Sequence, residues 1–472
     1  MARMGNNCQI PTPEKYVIQM LNLIKYKDNI FEKRVLENSC GEGNILVEIV
    51  KRYIKDARKQ GKKNEQIIVG LENNIVAYET DQQKIEICIE RLNKIAYELG
   101  ISEINWNIRN KDFLKQENDS YDFIIGNPPY ITYHDLETGD REYLKEHFYS
   151  CSQGRFDYSY AFVEASVKNL SKEGKLVYLL PYSIMKNKFA DRLREYISQY
   201  ITKIYDYTGI KVFPEAITSS VVFLIENKKN RENVQYYLVN ENEKRYISRK
   251  QLSRVWKFKE VIEDGKKRFG DYFEISNSVA TLYNEAFLIK QYEEDADYYY
   301  TDRGKIEKQL VYPAVSMKNK GKLNRKQTLI LFPYKVQNRD VLHYSKEEFE
   351  KLFPMAARYL RTFSDKLSNR KSDEKALWFE YGRNQAIKRV FGDKLIMPMI
   401  ITKQVSVDYA AADAIPYAGY FIKCTDPEKM TLEQAKAILE SNQFYDYVKT
   451  NGTPTTPTSY RISVNYIKEY RF

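Results

Sequence analysis

Tyr121-Asp122-Phe123-Ile124-Ile125-Gly126-Asn127-Pro128-Pro129-Tyr130 is the stretch on which the reading of this chain turns. An apolar run reads as a buried strand, and it stops at a rigid loop holding one amide, two prolines and one aromatic ring. Each proline fixes its φ near about −65° and lacks an N–H. The loop therefore offers mainly acceptors, namely the Asn127 side-chain oxygen and the Pro128 carbonyl. A planar exocyclic NH2 group brings two donors to match. Its lone pair is conjugated with its ring, and two acceptors gripping both N–H groups bias the nitrogen toward a pyramidal, reactive form. Tyr130 can then stack on the ring. An ordinary strand before a proline turn looks the same in isolation, so the flanking sequence decides.

Upstream, Arg34-Val35-Leu36-Glu37-Asn38-Ser39-Cys40-Gly41-Glu42-Gly43-Asn44-Ile45-Leu46 reads as a strand, a glycine turn and the start of a helix. Glycines there permit a tight turn and a close backbone approach to a ligand at the helix N-terminus. A second strand, Ile75 to Asp81, ends in acids before a helical pattern from Gln82 to Leu99. An acid at that strand tip is where a doubly wound sheet holds a ribose diol, with Glu79 the first choice and Asp81 the reserve. A third strand, Asn105 to Arg109, leads to Asp112-Phe113, an acid and an aromatic placed to hold an adenine ring. Any one of these acids could be a solvated loop residue or a helix cap; their order argues for a site.

Taken together, these motifs resemble the gamma-class DNA adenine-N6 methyltransferases of the TaqI type, found in restriction-modification systems. In that family S-adenosyl-L-methionine (AdoMet) motifs precede an N-P-P-Y loop, and a separate target recognition domain follows. The resemblance runs motif by motif over about residues 9 to 226 and more loosely beyond. It implies an α/β, Rossmann-like AdoMet-dependent methyltransferase sheet followed by an α+β recognition domain. It also implies that Thr12, in the Thr12-Pro13 element, closes over the methionine end of AdoMet. Glu37, Gly41 and Gly43 then sit by the methionine moiety, Glu79 on the ribose hydroxyls, and Asp112 with Phe113 on the cofactor adenine. Asn127, Pro128 and Tyr130 take the catalytic positions, and Phe213 of Val212-Phe213-Pro214 supplies a second aromatic wall for an extruded base. A core phenylalanine is the alternative for Phe213. The helix opening at Phe156-Asp157 and the strand Gly174 to Pro181 resemble later motifs of the family.

Two departures stand out. Many relatives carry proline after the first-strand acid, where this chain has Asn38. The stretch from Asp56 to Asn74 is also long and reads as a surface excursion, with a loop at Gln60 to Asn64 before a short helix.

The 472 residues are too many for one compact core and suggest two domains, residues 1–240 for catalysis and 241–472 for recognition. The cysteines (Cys8, Cys40, Cys88, Cys151, Cys424) and histidines (His134, His147, His343) are scattered without metal-binding or C-x-x-C spacing. Free thiols in a reducing cytoplasm and no metal are expected. No apolar run is long enough to span a bilayer, and nothing resembles a signal peptide, so a cytoplasmic protein without a membrane partner is expected.

Of the net charge of +11, residues 1–240 hold about 34 basic and 33 acidic side chains, and residues 241–472 about 41 and 31. The excess therefore belongs to the second half, as expected if that half meets the phosphates of double-stranded DNA. Within it, Ser316 to Lys326 reads as a basic loop that meets phosphates or as a solvated surface loop, and Tyr381-Gly382-Arg383-Asn384-Gln385 as side chains able to read purine edges or as an ordinary polar turn. Lys346 to Ser368 and Thr431 to Val448 read as helical, and Asn451 to Ser459 as a loop without regular structure. Three other activities share parts of this pattern: RNA adenine-N6 methylation, protein glutamine-N5 methylation, and a DNA specificity module that binds without catalysis. No nuclease segment precedes Thr12-Pro13, so a restriction endonuclease, if one accompanies the protein, is expected on a separate chain.

Overall fold

The computed structural model describes residues 10–213, 219–228, 232–252, 256, 258, 267–317, 327–337, 340–456 and 458–472. The chain divides into two units, one of residues up to 260 with 453–458, the other of residues 261–452 with 459–472.

The first unit is built on one sheet. After helix α1 (Glu14–Leu23) the chain runs β1 (Val35–Glu37), α2 (Asn44–Lys59), α3 (Asn64–Asn74), β2 (Ile75–Glu79), α4 (Gln82–Glu98), β3 (Asn107–Asn110) and β4 (Tyr121–Gly126). Then come α5 (Thr138–His147), α6 (Ser159–Lys168), β5 (Leu170–Pro181), α7 (Asp191–Ile197), β6 (Ile201–Asp206), β7 (Ser220–Glu226), β8 (Asn233–Leu238) and β9 (Glu243–Ser248). The strand order is β3-β2-β1-β4-β5-β7-β6-β8-β9. Strands β1 to β5 pair in parallel, and β7 runs antiparallel between β5 and β6. The order reverses between β1 and β4, which places a crevice at their carboxyl ends, beyond Glu37 and Gly126.

Both faces of the sheet are covered, which is why its strands read as continuous apolar runs rather than alternating ones. Along β5, Leu176, Tyr178 and Leu180 enter one core while Val177 and Leu179 enter the other; β7 divides Val221, Phe223 and Ile225 from Val222 and Leu224 in the same way. Helix α2 buries Ile45, Leu46, Ile49, Val50, Tyr53 and Ile54 on one stripe.

Two readings of the sequence are corrected in this unit. The Asp56 to Asn74 stretch is not a surface excursion. Asp56 is buried and accepts from the backbone N–H groups of Asn29, Ile30 and Phe31 at 2.7–3.2 Å, and α3 buries Ile67 and Leu71. A charge in the last turn of α2 hid this role, which depends on a loop about 26 residues upstream. The boundary at 240 would also cut the hairpin of β8 and β9, whose register pairs Leu238 with Glu243. Trp256 and Phe258 extend the unit further by packing on Phe223 and Tyr236.

The second unit is α+β. Strand β10 (Phe273–Asn277) is the edge of a four-stranded antiparallel sheet containing Tyr420–Cys424, Lys394–Met397 and Asp408–Ala410. Lys346 to Ser368 forms three short helices rather than one. Pro354 opens the second of them, and the Glu307 carboxylate accepts from the N–H groups of Met355 and Ala356 at 2.8 Å. The segment read as irregular contains a strand, Thr453–Thr456. The basic run from Lys318 to Lys326 lies outside the described residues. No helix among the described residues is long and apolar enough to cross a membrane.

Candidate active site

A cavity of about 210 Å³ opens at the crevice. One wall comes from β1 and the turn after it: Glu37, Ser39, Cys40, Gly41, Glu42, Asn44 and Ile45. The opposite wall is Asn127, Pro128, Pro129 and Tyr130, while Ile10, Pro11, Thr12, Lys84 and Phe213 complete the lining. Thr12, Glu37, Gly41, Asn127, Pro128, Tyr130 and Phe213 are therefore brought together, as the motifs predict.

The glycine turn needs its glycines. Gly41 and Gly43 have φ of +52° and +82°, in the left-handed region, and a Cβ on Gly43 would lie 2.5 Å from Cys88 Sγ. Gly43 caps α2 from that conformation and does not reach the cavity wall. The Cys40 N–H donates to the Tyr78 carbonyl at 3.0 Å, pinning the turn to β2.

Four acids named from the sequence have different fates. Glu37 is buried, one carboxylate oxygen has no partner among the described residues, and the side chain lines the cavity. Burial first, and the neighbouring Cys88 and Glu79 after it, push its carboxyl well above the usual carboxylate range. Glu79 is taken up by the backbone. Its carboxylate accepts from Gly41 N–H at 2.9 Å, Thr80 N–H at 2.8 Å and Asp81 N–H at 3.0 Å, and it does not line the cavity. Asp81 caps α4, accepting from Gln83 N–H at 3.0 Å. Asp112 caps the short turn Phe113–Lys115, and burial raises its carboxyl. Phe113 packs edge-on against Tyr78 at 5.4 Å. Neither Asp112 nor Phe113 lines the cavity.

On the N-P-P-Y loop the Asn127 amide is held at both ends. Its Nδ2 donates to the Ile10 carbonyl at 3.2 Å, and the Tyr130 hydroxyl reaches both Asn127 Oδ1 and, at 2.6 Å, the Leu179 carbonyl. A phenol has one proton, so these two acceptors share it. Phe213 is 2% exposed, joins the core around Val177 and Leu179, and still contributes to the cavity lining. Phe213 is thus a core phenylalanine that also borders the cavity.

The residue that departs from the family pattern also has a partner set. Asn38 Nδ2 donates to Ser166 Oγ at 2.8 Å, Tyr178 Oη donates to Asn38 Oδ1 at 2.7 Å, and Ser166 Oγ lies 2.7 Å from Tyr178 Oη. All three residues are buried. Gly126, which precedes Asn127, lies directly on this group: a Cβ there would be 2.7 Å from Tyr178 Cε1 and 3.4 Å from Asn38 Oδ1. Sequence reading noted Asn38 only as a departure and missed Tyr178 and Ser166, because their contact joins α6 and β5 to a residue 128 and 140 positions earlier in the chain. Ser39 and Cys40 could have been found from their place in the glycine turn.

Fold and cavity together resemble those of the methyltransferase class: a doubly covered, Rossmann-like sheet with a reversed strand, a glycine turn at β1 and an N-P-P-Y loop at β4. Within that class, residues 15–213 match the family model described as Eco57I restriction-modification methylase. The chain is 24% identical over 329 residues to the Type II restriction enzyme and methyltransferase RM.Eco57I of Escherichia coli, covering 60% of this chain and 33% of that protein. It is 23% identical over 515 residues to the Type II methyltransferase M.BstVI of Geobacillus stearothermophilus, covering 94% of this chain and 85% of that one. Among solved structures, the Type IIL restriction-modification enzyme MmeI in complex with DNA shares the fold with a TM-score of 0.59 at 12% identity. That match covers 97% of this chain and 64% of MmeI. The chain thus spans about a third of the E. coli relative and under two thirds of MmeI.

Proposed function

We propose that the chain transfers a methyl group from AdoMet to N6 of an adenine in duplex DNA, site-specifically, with residues 261–452 and 459–472 as the target recognition domain. The observation that carries this reading is that one cavity is walled by the Glu37 turn on one side and by Asn127, Pro128 and Tyr130 on the other. A donor and an acceptor of a methyl group need such a shared space.

The residues fit AdoMet. The Glu37 oxygen that has no partner among the described residues belongs to a buried carboxyl facing the cavity, which a cationic ligand would ionise, and the positive-φ turn at Gly41 and Gly43 allows close backbone approach. AdoMet supplies an electrophilic methyl group on a sulfonium. The protein supplies position. Asn127 Oδ1 and the Pro128 carbonyl accept from the two N–H groups of N6, Tyr130 stacks on the ring, and Phe213 closes the other side. Thr12 and the chain around Ile10 hold the cavity rim, since Asn44 Nδ2 donates to the Thr12 carbonyl at 3.4 Å. Glu79 acts on the ribose side through the Gly41 turn, and Asp112 with Phe113 on the adenine side of the cofactor. The target base must leave the duplex, because N6 is paired and the ring is stacked.

The test supplies tritium-labelled AdoMet with duplex DNA, RNA or a glutamine-containing protein in parallel. Label appearing in duplex DNA, with N6-methyladenine at one motif by single-molecule sequencing, is the expected result. Label in RNA or protein alone would move the reading to one of the other methyltransferases. No label in any acceptor would leave a binding module.

A further inference from the structure

A second cavity, of about 600 Å³, lies wholly within the second unit, and among the described residues that line it there are three formal cations (Lys388, Arg389, Lys468) and no acid. It gathers part of the Tyr381 to Gln385 segment with β10 and the helix Val464–Glu469. Arg383, which read as a candidate base contact, is tied up: its Nη1 meets Asp373 Oδ1 at 2.6 Å. The same aspartate accepts from the backbone N–H of Asn384 at 3.0 Å, and Gln385 Nε2 donates to the Ser278 carbonyl at 3.0 Å. These contacts anchor the loop while leaving the Asn384 side-chain amide with no hydrogen-bond partner among the described residues.

The next residue, Ala386, has φ of +66° without being a glycine, a conformation that costs about 1–3 kcal/mol and persists only where the surroundings hold it. That bend turns the chain between Gln385 and the short turn Ile387–Arg389, so side chains from both segments face one cavity. Arg389 is oriented there by Glu274, Nε to Oε1 at 3.1 Å, and by Ser276 Oγ at 3.5 Å. Lys388 and Lys468 have no ion pair among the described residues. The set is one free amide, one braced guanidinium and two unpaired ammonium groups. An amide can bond bidentately to adenine N6 and N7, a guanidinium to guanine O6 and N7, and ammonium groups suit phosphate as point charges.

We propose that this cavity reads purine edges in the major groove of duplex DNA, with Asn384 and Arg389 as specificity-determining side chains and Lys388 and Lys468 on the flanking phosphates. The proposal rests on the reading of the chain as a DNA methyltransferase, and its test separates the two. The full-length protein is used to select bound duplexes from a random-sequence pool, which yields the recognition sequence whether or not methyl transfer occurs. Asn384→Ala and Arg389→Ala are expected each to relax one purine position, lowering discrimination there by about ten- to hundredfold. Lys388→Ala with Lys468→Ala is expected to keep the sequence while reducing the slope of log affinity against log salt by about two. Circular dichroism and the milder Asn384→Gln, which moves the amide by one methylene, separate a lost contact from a lost fold. Selected sequences unchanged in Asn384→Ala and Arg389→Ala, or a salt slope unchanged in the lysine pair, would overturn the proposal. Selection of a defined duplex with no methylation of it would overturn the catalytic reading alone.

Discussion

Tyr178 donates its hydroxyl proton to Asn38 Oδ1 at 2.7 Å, in a closed cycle with Ser166 where each group donates once and accepts once. Asn38 begins the glycine turn after β1, and Tyr178 lies on β5 against Gly126 at the entry to the N-P-P-Y loop. The two sides of the cavity are therefore joined beneath it by a satisfied polar cluster that has no slack. Ser39 Oγ adds a long contact of 3.4 Å to the Asn127 carbonyl.

Tyr178→Phe leaves one acceptor and one donor of that cycle buried without a partner, which costs about 1–3 kcal/mol. The expected outcome is a lower melting temperature together with a fall in kcat that exceeds the change in AdoMet affinity. Gly126→Ala should reduce turnover further, because the added methyl meets the Tyr178 ring. Equal effects on kcat and on AdoMet binding would place the cycle outside the positioning of the loop.

Asn127→Ala removes the side-chain acceptor for N6 and leaves the Glu37 wall untouched. AdoMet affinity, read by calorimetry, should stay within a few-fold. Methylation should fall by at least about 100-fold, the scale of losing one preorganised hydrogen-bonding group in a closed site.

Tyr130→Phe keeps the ring and deletes the hydroxyl shared by Asn127 and Leu179. Its turnover should stay well above that of Tyr130→Ala, which loses the stacking surface too. The comparison is made under single-turnover conditions, so that product release does not mask the chemical step.

Glu37 has a raised pKa in the cofactor-free protein, with burial as the largest cause. A cation in the cavity favours the carboxylate, so AdoMet binding should release a proton wherever the pH lies below that raised value. Affinity should then rise with pH until Glu37 ionises unaided, and level off above it. Glu37→Gln should bind more weakly and show no such slope by calorimetry in buffers of different ionisation enthalpy.

Asp157, at the start of α6, accepts from Ser159 N–H and Oγ, and burial pushes its carboxyl up to about 6. The folded value exceeds the unfolded one of about 4, so the stability this group contributes is complete below about 4 and lost as pH rises through about 6. Asp157→Asn should flatten the dependence of the melting temperature on pH between 4 and 7. An unchanged profile in that variant would assign the titration to another group.

Much of the site was legible because it is locally encoded. The N-P-P-Y loop is stiff through its own prolines, the turn at Gly41 and Gly43 is stated by residues that tolerate positive φ, and the apolar runs of β4, β5 and β7 announce a sheet covered on both faces. The boundary at 240 falls inside the β8–β9 hairpin, where the pairing of Leu238 with Glu243 marks the chain as internal to the first unit. Asp56 looked like a surface charge because its three N–H donors come from another segment.

The sequence by itself determined the order of the elements, the crevice at the strand ends and the loop that faces it, since backbone restriction and apolar periodicity act over a few residues. Tertiary structure decided which of the acids remain available. Glu79 and Asp81 are consumed by nearby N–H groups, while Glu37, which lines the cavity, keeps one oxygen without a partner among the described residues. It also decided that Asn38 binds Tyr178 and Ser166, and that Arg383 is paired with Asp373 while the Asn384 side-chain amide has no partner among the described residues. A polar side chain's role depends on which partner packing brings within about 3 Å, and that partner can be more than a hundred residues away in the chain.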